Sequence, residues 1–172
     1  MKISELNENE YAIYFDKYIK LSNNETILLE ELEICLHDFI RFVQNIPLDK
    51  FDYRYDVNKW TIKEIIQHLI DTERIFQYRA LRISRNDVTP LPGFDENNYA
   101  TNSNGNSRSI QDLLTEMAVV RQSTLSLFKS FSKEQLLLIG TASENKISVR
   151  AIGFILIGHQ KHHQKIFQER YL

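Results

Sequence analysis

At 172 residues the chain is the size of one globular domain, and residues 1–172 read as a single unit with ordinary globular composition, 42% hydrophobic and 26% charged. Twenty-one basic against 23 acidic residues give a formal charge of −2, so there is no basic face to attract nucleic acid or anionic lipid. Cys35 is the only cysteine, which excludes an internal disulfide and a thiolate metal cluster; five glycines and three prolines favour long helices over many strands and turns.

The opening stretch Met1–Asn9 is polar and has no leader character, and a reducing cytoplasm is the expected location. The longest apolar run, Ala151–Ile157, is broken by Gly153 and is too short to span a bilayer. A short aromatic segment from Tyr11 to Ile19 predicts a small N-terminal helix, ending at the helix-start signal Ser22-Asn23-Asn24. From Ile27 to Ile46, Leu28, Leu32, Cys35, Phe39, Phe42 and Ile46 recur at spacings of three and four, an amphipathic helix that Pro47 stops.

The second long helix begins after Trp60, where Thr61 and Glu64 have capping-box spacing. Ile62, Ile65, Ile66, Leu69, Phe76, Ala80 and Ile83 form its apolar stripe, and His68 lies on the flank in a column with Thr61, Thr72, Ile75 and Arg79. Residues 86–108, rich in Asn, Asp, Pro, Gly and Ser, read as one long functional loop between the second and third long helices. The third runs from Ser109 to Phe131, and the fourth starts at the N-cap candidate Ser148 and continues toward Tyr171. No segment alternates long enough to predict a strand. The expected fold is therefore all-α, a four-helix bundle.

His159 and His163 sit mid-face on the last helix among Ile152, Ile155, Leu156 and Ile166. Histidines four apart project side by side, roughly 5–6 Å between Cβ atoms, close enough to share one metal ion. Burying two imidazoles on an apolar face is costly, and a shared ion resolves that cost. His68 is the third candidate; taken alone it reads rather as an edge histidine bonded to a backbone carbonyl. The run His159–His163 has the two-histidine spacing of zinc metalloproteases, but Gln160 stands where those enzymes need a glutamate base. The Glu-x-x-His pattern of di-iron bundles is absent, since Glu64 and His68 are four apart. His162, about 60° around the helix from His159, reads as exposed or packed behind a ligand, and His37 as a surface residue.

Three stretches carry a family resemblance: Trp60 through His68 to Asp71; Arg79 through Thr89-Pro90-Leu91-Pro92-Gly93-Phe94-Asp95-Glu96; and Ala151-Ile152-Gly153 with Gly158-His159 and His162-His163-Gln164-Lys165-Ile166. In this order, across roughly residues 27 to 170, they resemble the DinB-like superfamily and its YfiT-like branch. The resemblance implies a four-helix bundle with one divalent transition metal ion, nickel or zinc, and the family's ligand positions match His68, His159 and His163. It also implies a small-molecule substrate. Some relatives transfer or isomerise substrates with a low-molecular-weight thiol, bacillithiol in this branch and mycothiol or glutathione elsewhere; others are labelled metal-dependent hydrolases.

Three neutral nitrogen ligands leave a coordination position open, as in catalytic zinc sites. Such a metal lowers the pKa of bound water to roughly 7 or deprotonates a bound thiol. A site with no evident general base suits a thiol-dependent S-transferase; a hydrolase would more naturally place Asp or Glu at the metal. Asp71, one turn from His68, either orients an imidazole from behind or faces solvent. Arg79 either receives a carboxylate of the thiol or makes a surface ion pair. A third reading is a non-catalytic binding protein whose metal stiffens the bundle. A homodimer is an assembly open to all three.

Overall fold

The computed structural model describes residues 1–172. Seven helices are present: α1 (Asp16–Ile19), α2 (Leu28–Gln44), α3 (Ile62–Ser84), α4 (Glu96–Asn102), α5 (Ile110–Lys129), α6 (Lys133–Leu137) and α7 (Val149–Ile166). The long helices α2, α3, α5 and α7 make a four-helix bundle in which α2 and α3 each pack against both α5 and α7. The periodic stripes account for this: Leu32, Phe39, Ile62, Ile66, Leu113 and Ile152 are all buried. Side-chain caps start the helices where the sequence places them. Thr61 accepts from the Glu64 N–H, Ser109 from Asp112 and Ser148 from Ala151. No helix is long and apolar enough to cross a membrane.

The core is two apolar clusters with a polar layer between them. One gathers Leu28, Leu32, Phe76, Ala80, Phe128 and the first half of α7; the other gathers Phe39, Val43, Ile62, Ile66, Leu113 and Phe167. Between them stand Glu73 on α3, Arg121 on α5 and Gln160 on α7, with Cys35 of the first cluster, on α2, against Arg121; all four are buried. A second buried ion pair, Arg150 with Glu10, fastens the N-terminal segment to the start of α7, and Ser148 Oγ donates to the same carboxylate at 2.7 Å.

Two features depart from the sequence expectation. A β-hairpin precedes α7: β1 (Ile139–Ala142) and β2 (Asn145–Ser148) pair antiparallel, with Ile139 opposite Ser148 and Ala142 opposite Asn145. Its turn residues Ser143 and Glu144 both have positive φ, 50° and 64°, the two-residue turn that matches strand twist. Strands of four residues are too short to show alternation, and Ser-Glu carries none of the Asn or Gly signal such turns usually show. The second departure is within 86–108, which is not one open loop. Leu91 exchanges backbone hydrogen bonds with Thr141 and Ser143 of the hairpin, and Asp95 caps α4 by accepting from Asn98 N at 3.0 Å.

Gly158 lets α1 reach α7. A Cβ there would lie 2.2 Å from the carbonyl oxygen of Tyr18. Gly158→Ala gains about 1 kcal/mol of helix propensity, but the obstructing atom is backbone and cannot rotate away, so overpacking of about 1–3 kcal/mol wins. Denaturant unfolding should show a net loss of up to about 2 kcal/mol; a raised midpoint would mean that α1 does not dock here.

Candidate metal centre

The cluster forms where α3 and α7 face each other. Thr61 and Glu64 fix the start of α3 about two turns before His68, with Glu64 Oε2 accepting from Thr61 N at 2.8 Å. On α7, His159 and His163 turn toward α3. Nε2 of His159 lies 3.1 Å from Nε2 of His68 and 3.1 Å from Nε2 of His163. The three ligand atoms all fall within 4.8 Å of one another. His68 and His159 are only 5% and 8% exposed. Trp60 packs against His68 in a tilted arrangement at 4.9 Å between ring centroids, and Tyr18 meets both His159 and His162 edge-on at 5.3 Å.

Electrostatics keeps these imidazoles neutral. Burial lowers the pKa of His68 to about 4. Burial is also the main cause that holds His159 and His163 well below the usual histidine value, with the neighbouring histidines adding to it. Three neutral nitrogens thus converge on one point. A cation satisfies all three Nε2 lone pairs at once, whereas hydrogen bonding alone can pair them only through a single acceptor, Nε2 of His159. At a metal–nitrogen distance of about 2.0–2.1 Å, ligand pairs at right-angle to tetrahedral spacing would stand roughly 2.9–3.3 Å apart. The two pairs that His159 makes, at 3.1 Å, fall in that interval, and the third pair lies within 4.8 Å. The donor set therefore fits a divalent transition metal. Thr72 Oγ1, 3.4 Å from His68 Nδ1, is placed to accept a weak bond and leave Nε2 as the lone-pair nitrogen. Nδ1 of His163 is sealed off without a partner.

The other residues singled out in the sequence lie elsewhere. Asp71 is not behind an imidazole: its carboxylate accepts from Gln67 Nε2 at 2.9 Å, and Thr72 occupies the position next to His68. His162 is half-buried, outside the three-nitrogen cluster, and His37 is exposed. Arg79 is not on the surface but buried. Gln160 points into the bundle, where Oε1 accepts from Arg121 and Nε2 donates to the Cys35 carbonyl.

One cavity opens on the cluster, and a tight groove of about 20 Å³ also borders it. The cavity, of about 260 Å³, is lined by His163, His162, Trp60, Tyr55, Lys59 and Tyr171. On the other side the groove, bordered by His159, Thr72 and Tyr18, adjoins a second cavity of about 240 Å³, the two sharing Tyr14, Phe15, Phe76 and Glu96. Sequence reasoning missed Trp60, Tyr18 and Glu96 as site residues. None lies on a histidine-bearing face; Trp60 precedes its helix, and the other two arrive from short elements. Glu96 is the one acid lining a cavity that also touches a cluster histidine, and burial raises its carboxyl pKa.

A helical bundle carrying a three-histidine cluster between two of its helices defines the class, and comparison with known proteins places it. The DinB superfamily model matches residues 31–167, and the chain belongs to that superfamily. Among solved structures it is similar to YfiT from Bacillus subtilis, described as a probable metal-dependent hydrolase with an unusual four-helix bundle topology. The TM-score is 0.72 at 15% sequence identity, covering 86% of this chain and 90% of that one. No curated protein matches the chain by sequence.

The cluster geometry makes two expectations measurable. Metal analysis should find about one equivalent per chain, largely lost in His68→Ala, His159→Ala and His163→Ala and retained in His162→Ala and His37→Ala; equal retention in all five would refute the assignment. The second concerns pH. The folded pKa of His68 is below the unfolded value of about 6.5, so the unfolded chain binds more protons as pH falls. Metal-free protein should therefore lose stability from about pH 6.5 downward, on the order of 3 kcal/mol from His68 alone by about pH 4. Denaturant midpoints that stay flat between about pH 6.5 and 4.5 would contradict that burial.

Proposed function

We propose that the protein holds one divalent transition metal ion, nickel or zinc, on Nε2 of His68, His159 and His163 and acts as a low-molecular-weight-thiol-dependent S-transferase. The observation that supports this reading is the cavity of about 260 Å³ at His163 together with the separate narrow groove at His159, which adjoins a second cavity of about 240 Å³. Separate approaches to His163 and His159 give an electrophile and a thiol different routes to the same cluster. When bound, the metal would supply Lewis acidity that raises the thiolate fraction of a coordinated thiol at neutral pH.

The chain's own residues then do three things. The histidines, kept neutral by burial, offer lone pairs rather than competing protons. Trp60, Tyr55 and Tyr171 wall one cavity with aromatic surface suited to an apolar electrophile. Burial of His68 and His159 keeps bulk water from two of the three donors. In the transfer the thiol sulfur bonds to the electrophilic carbon, the bond from that carbon to its leaving group breaks, and the leaving group departs with the electron pair. The thiol proton passes to solvent. A cytoplasmic setting belongs to this reading, because small thiols stay reduced there, as do a small-molecule partner and the absence of a nucleic-acid or membrane partner.

A hydrolase is the second reading, favoured by Glu96 on the groove beside His159 and by the description of YfiT. Rates should separate the two. Metal-loaded protein should accelerate conjugation of a chloroarene or epoxide with at least one of bacillithiol, glutathione, cysteine and coenzyme A at equal concentration. His159→Ala should return the rate to background, and Glu96→Gln should leave it within a few-fold. Absence of conjugation with every thiol, together with ester or amide cleavage abolished by Glu96→Gln, would replace the transferase with the hydrolase.

A further inference from the structure

The groove beside His159 leads to a guanidinium that has no counter-ion. The chain buries three arginines, Arg79, Arg121 and Arg150. Arg121 is paired with Glu73 and Arg150 with Glu10. Arg79 is 4% exposed and has no carboxylate within ion-pair distance. Its Nη2 donates to two neutral acceptors, the Pro92 carbonyl at 2.9 Å and Ser143 Oγ at 3.0 Å. Nε and Nη1 have no hydrogen-bond partner, and neither is sealed from solvent. They open on the cavity of about 240 Å³ that Phe76, Phe94, Ser143 and Lys146 also line. The guanidinium carbon sits 5.1 Å from the Phe76 ring centroid and 6.0 Å from that of Phe94.

Holding the loop and hairpin together explains Nη2 only. A neutral donor would do that work without the cost of burying an unpaired charge. Burial lowers the pKa of Arg79, and no neighbouring acid offsets it. The position is informative too. Arg79 follows His68 by about three turns on the same face of α3, roughly 16 Å along the axis, and the narrow groove at His159 and the cavity at Arg79 share Phe15 and Phe76 as walls.

We propose that the Arg79 cavity is a carboxylate-binding subsite for the small molecule whose other end reaches the histidine cluster. That reactant is an extended, mostly apolar chain with its reactive group at one end and a single negative charge at the other. One buried cation matches one monoanion, and Glu96 on the rim opposes a second negative charge along the groove. The proposal rests on the metal reading only for which end reacts.

Calorimetric titration of the metal-loaded full chain tests it. The probes are straight-chain ω-mercaptoalkanoates of increasing length, their terminal amides, the thiol-free alkanoates and the matching alkyl phosphates. The acid should bind about tenfold or more tightly than the amide of equal length, the size of a charge-assisted hydrogen bond in a buried site. Arg79→Gln should abolish that ratio at unchanged metal content, while Arg79→Lys keeps part of it. The acid-to-amide ratio of the unaltered protein needs no variant, so a misfolded Arg79→Gln does not block the test. Equal binding of acid and amide, no binding of either, a ratio that survives in Arg79→Gln, or preference for the phosphate would each overturn the subsite. If the thiol adds nothing over the thiol-free acid while the acid-to-amide ratio stands, the subsite holds and the metal–thiol reading fails instead.

Discussion

The guanidinium of Arg121 lies at the centre of the bundle, where all four long helices reach it, and the placement of the histidines depends on this contact. Nε and Nη2 bind both oxygens of Glu73 on α3 at 2.7 and 2.9 Å. Nη1 donates to the Leu32 carbonyl on α2 at 2.8 Å, and Nη2 also donates to Gln160 Oε1 on α7 at 2.9 Å. Thr124 Oγ1 completes the carboxylate at 2.5 Å. Desolvating two charges is expensive, and an apolar layer of the same volume would often be as stable. What the polar layer supplies is register: hydrogen bonds with fixed partners allow one rotation and one axial offset for each helix, whereas leucine against leucine tolerates several.

That register is visible on α7. Gln160 must face the centre to meet Arg121 and the Cys35 carbonyl. At 100° per residue, His159 then falls 100° to one side and His163 60° to the same side, from the helical period. Both imidazoles are turned off the bundle axis toward α3, where His68 waits under Trp60. The histidine cluster is thus flanked by an apolar cluster on each side along the axis and by the ion-paired layer at its own level. It does not occupy the axis, which is why a cavity and a groove can reach it from two directions.

The sequence was most legible where one helix face decides the outcome. The four long helices, their caps at Thr61, Ser109 and Ser148, and the convergence of His68 with His159 and His163 all follow from spacing of three and four and from local capping chemistry, and the likeness to a known bundle family joined them in space. What could not be read depends on contacts between distant segments. Arg79 stands in a column with polar Thr61 and Thr72, and nothing local says that Pro92 and Ser143 fold over it. The hairpin exists because Leu91 pairs with its edge and the helix after it needs Ser148 as cap, not because four residues prefer extended backbone. Arg121 breaks no visible pattern, since only a carboxylate 48 positions earlier in the chain gives it a reason to be inside.

Gln160 shows why a motif has to be read with its packing. In sequence it is the residue that denies the protein a metalloprotease base. In the fold it could not serve as one whatever its side chain, because the position faces Arg121 and the α2 carbonyl rather than the three Nε2 atoms. A glutamate there would add a second carboxylate to Arg121 beside Glu73, and its charge would be taken up in the core. Two histidines at metalloprotease-like spacing therefore do not make a metalloprotease site when the intervening residue is spent on helix register. The chemistry open to this cluster must come from groups that enter by the cavities: a small ligand on the His163 side, a ligand along the His159 groove, or Glu96 at its edge.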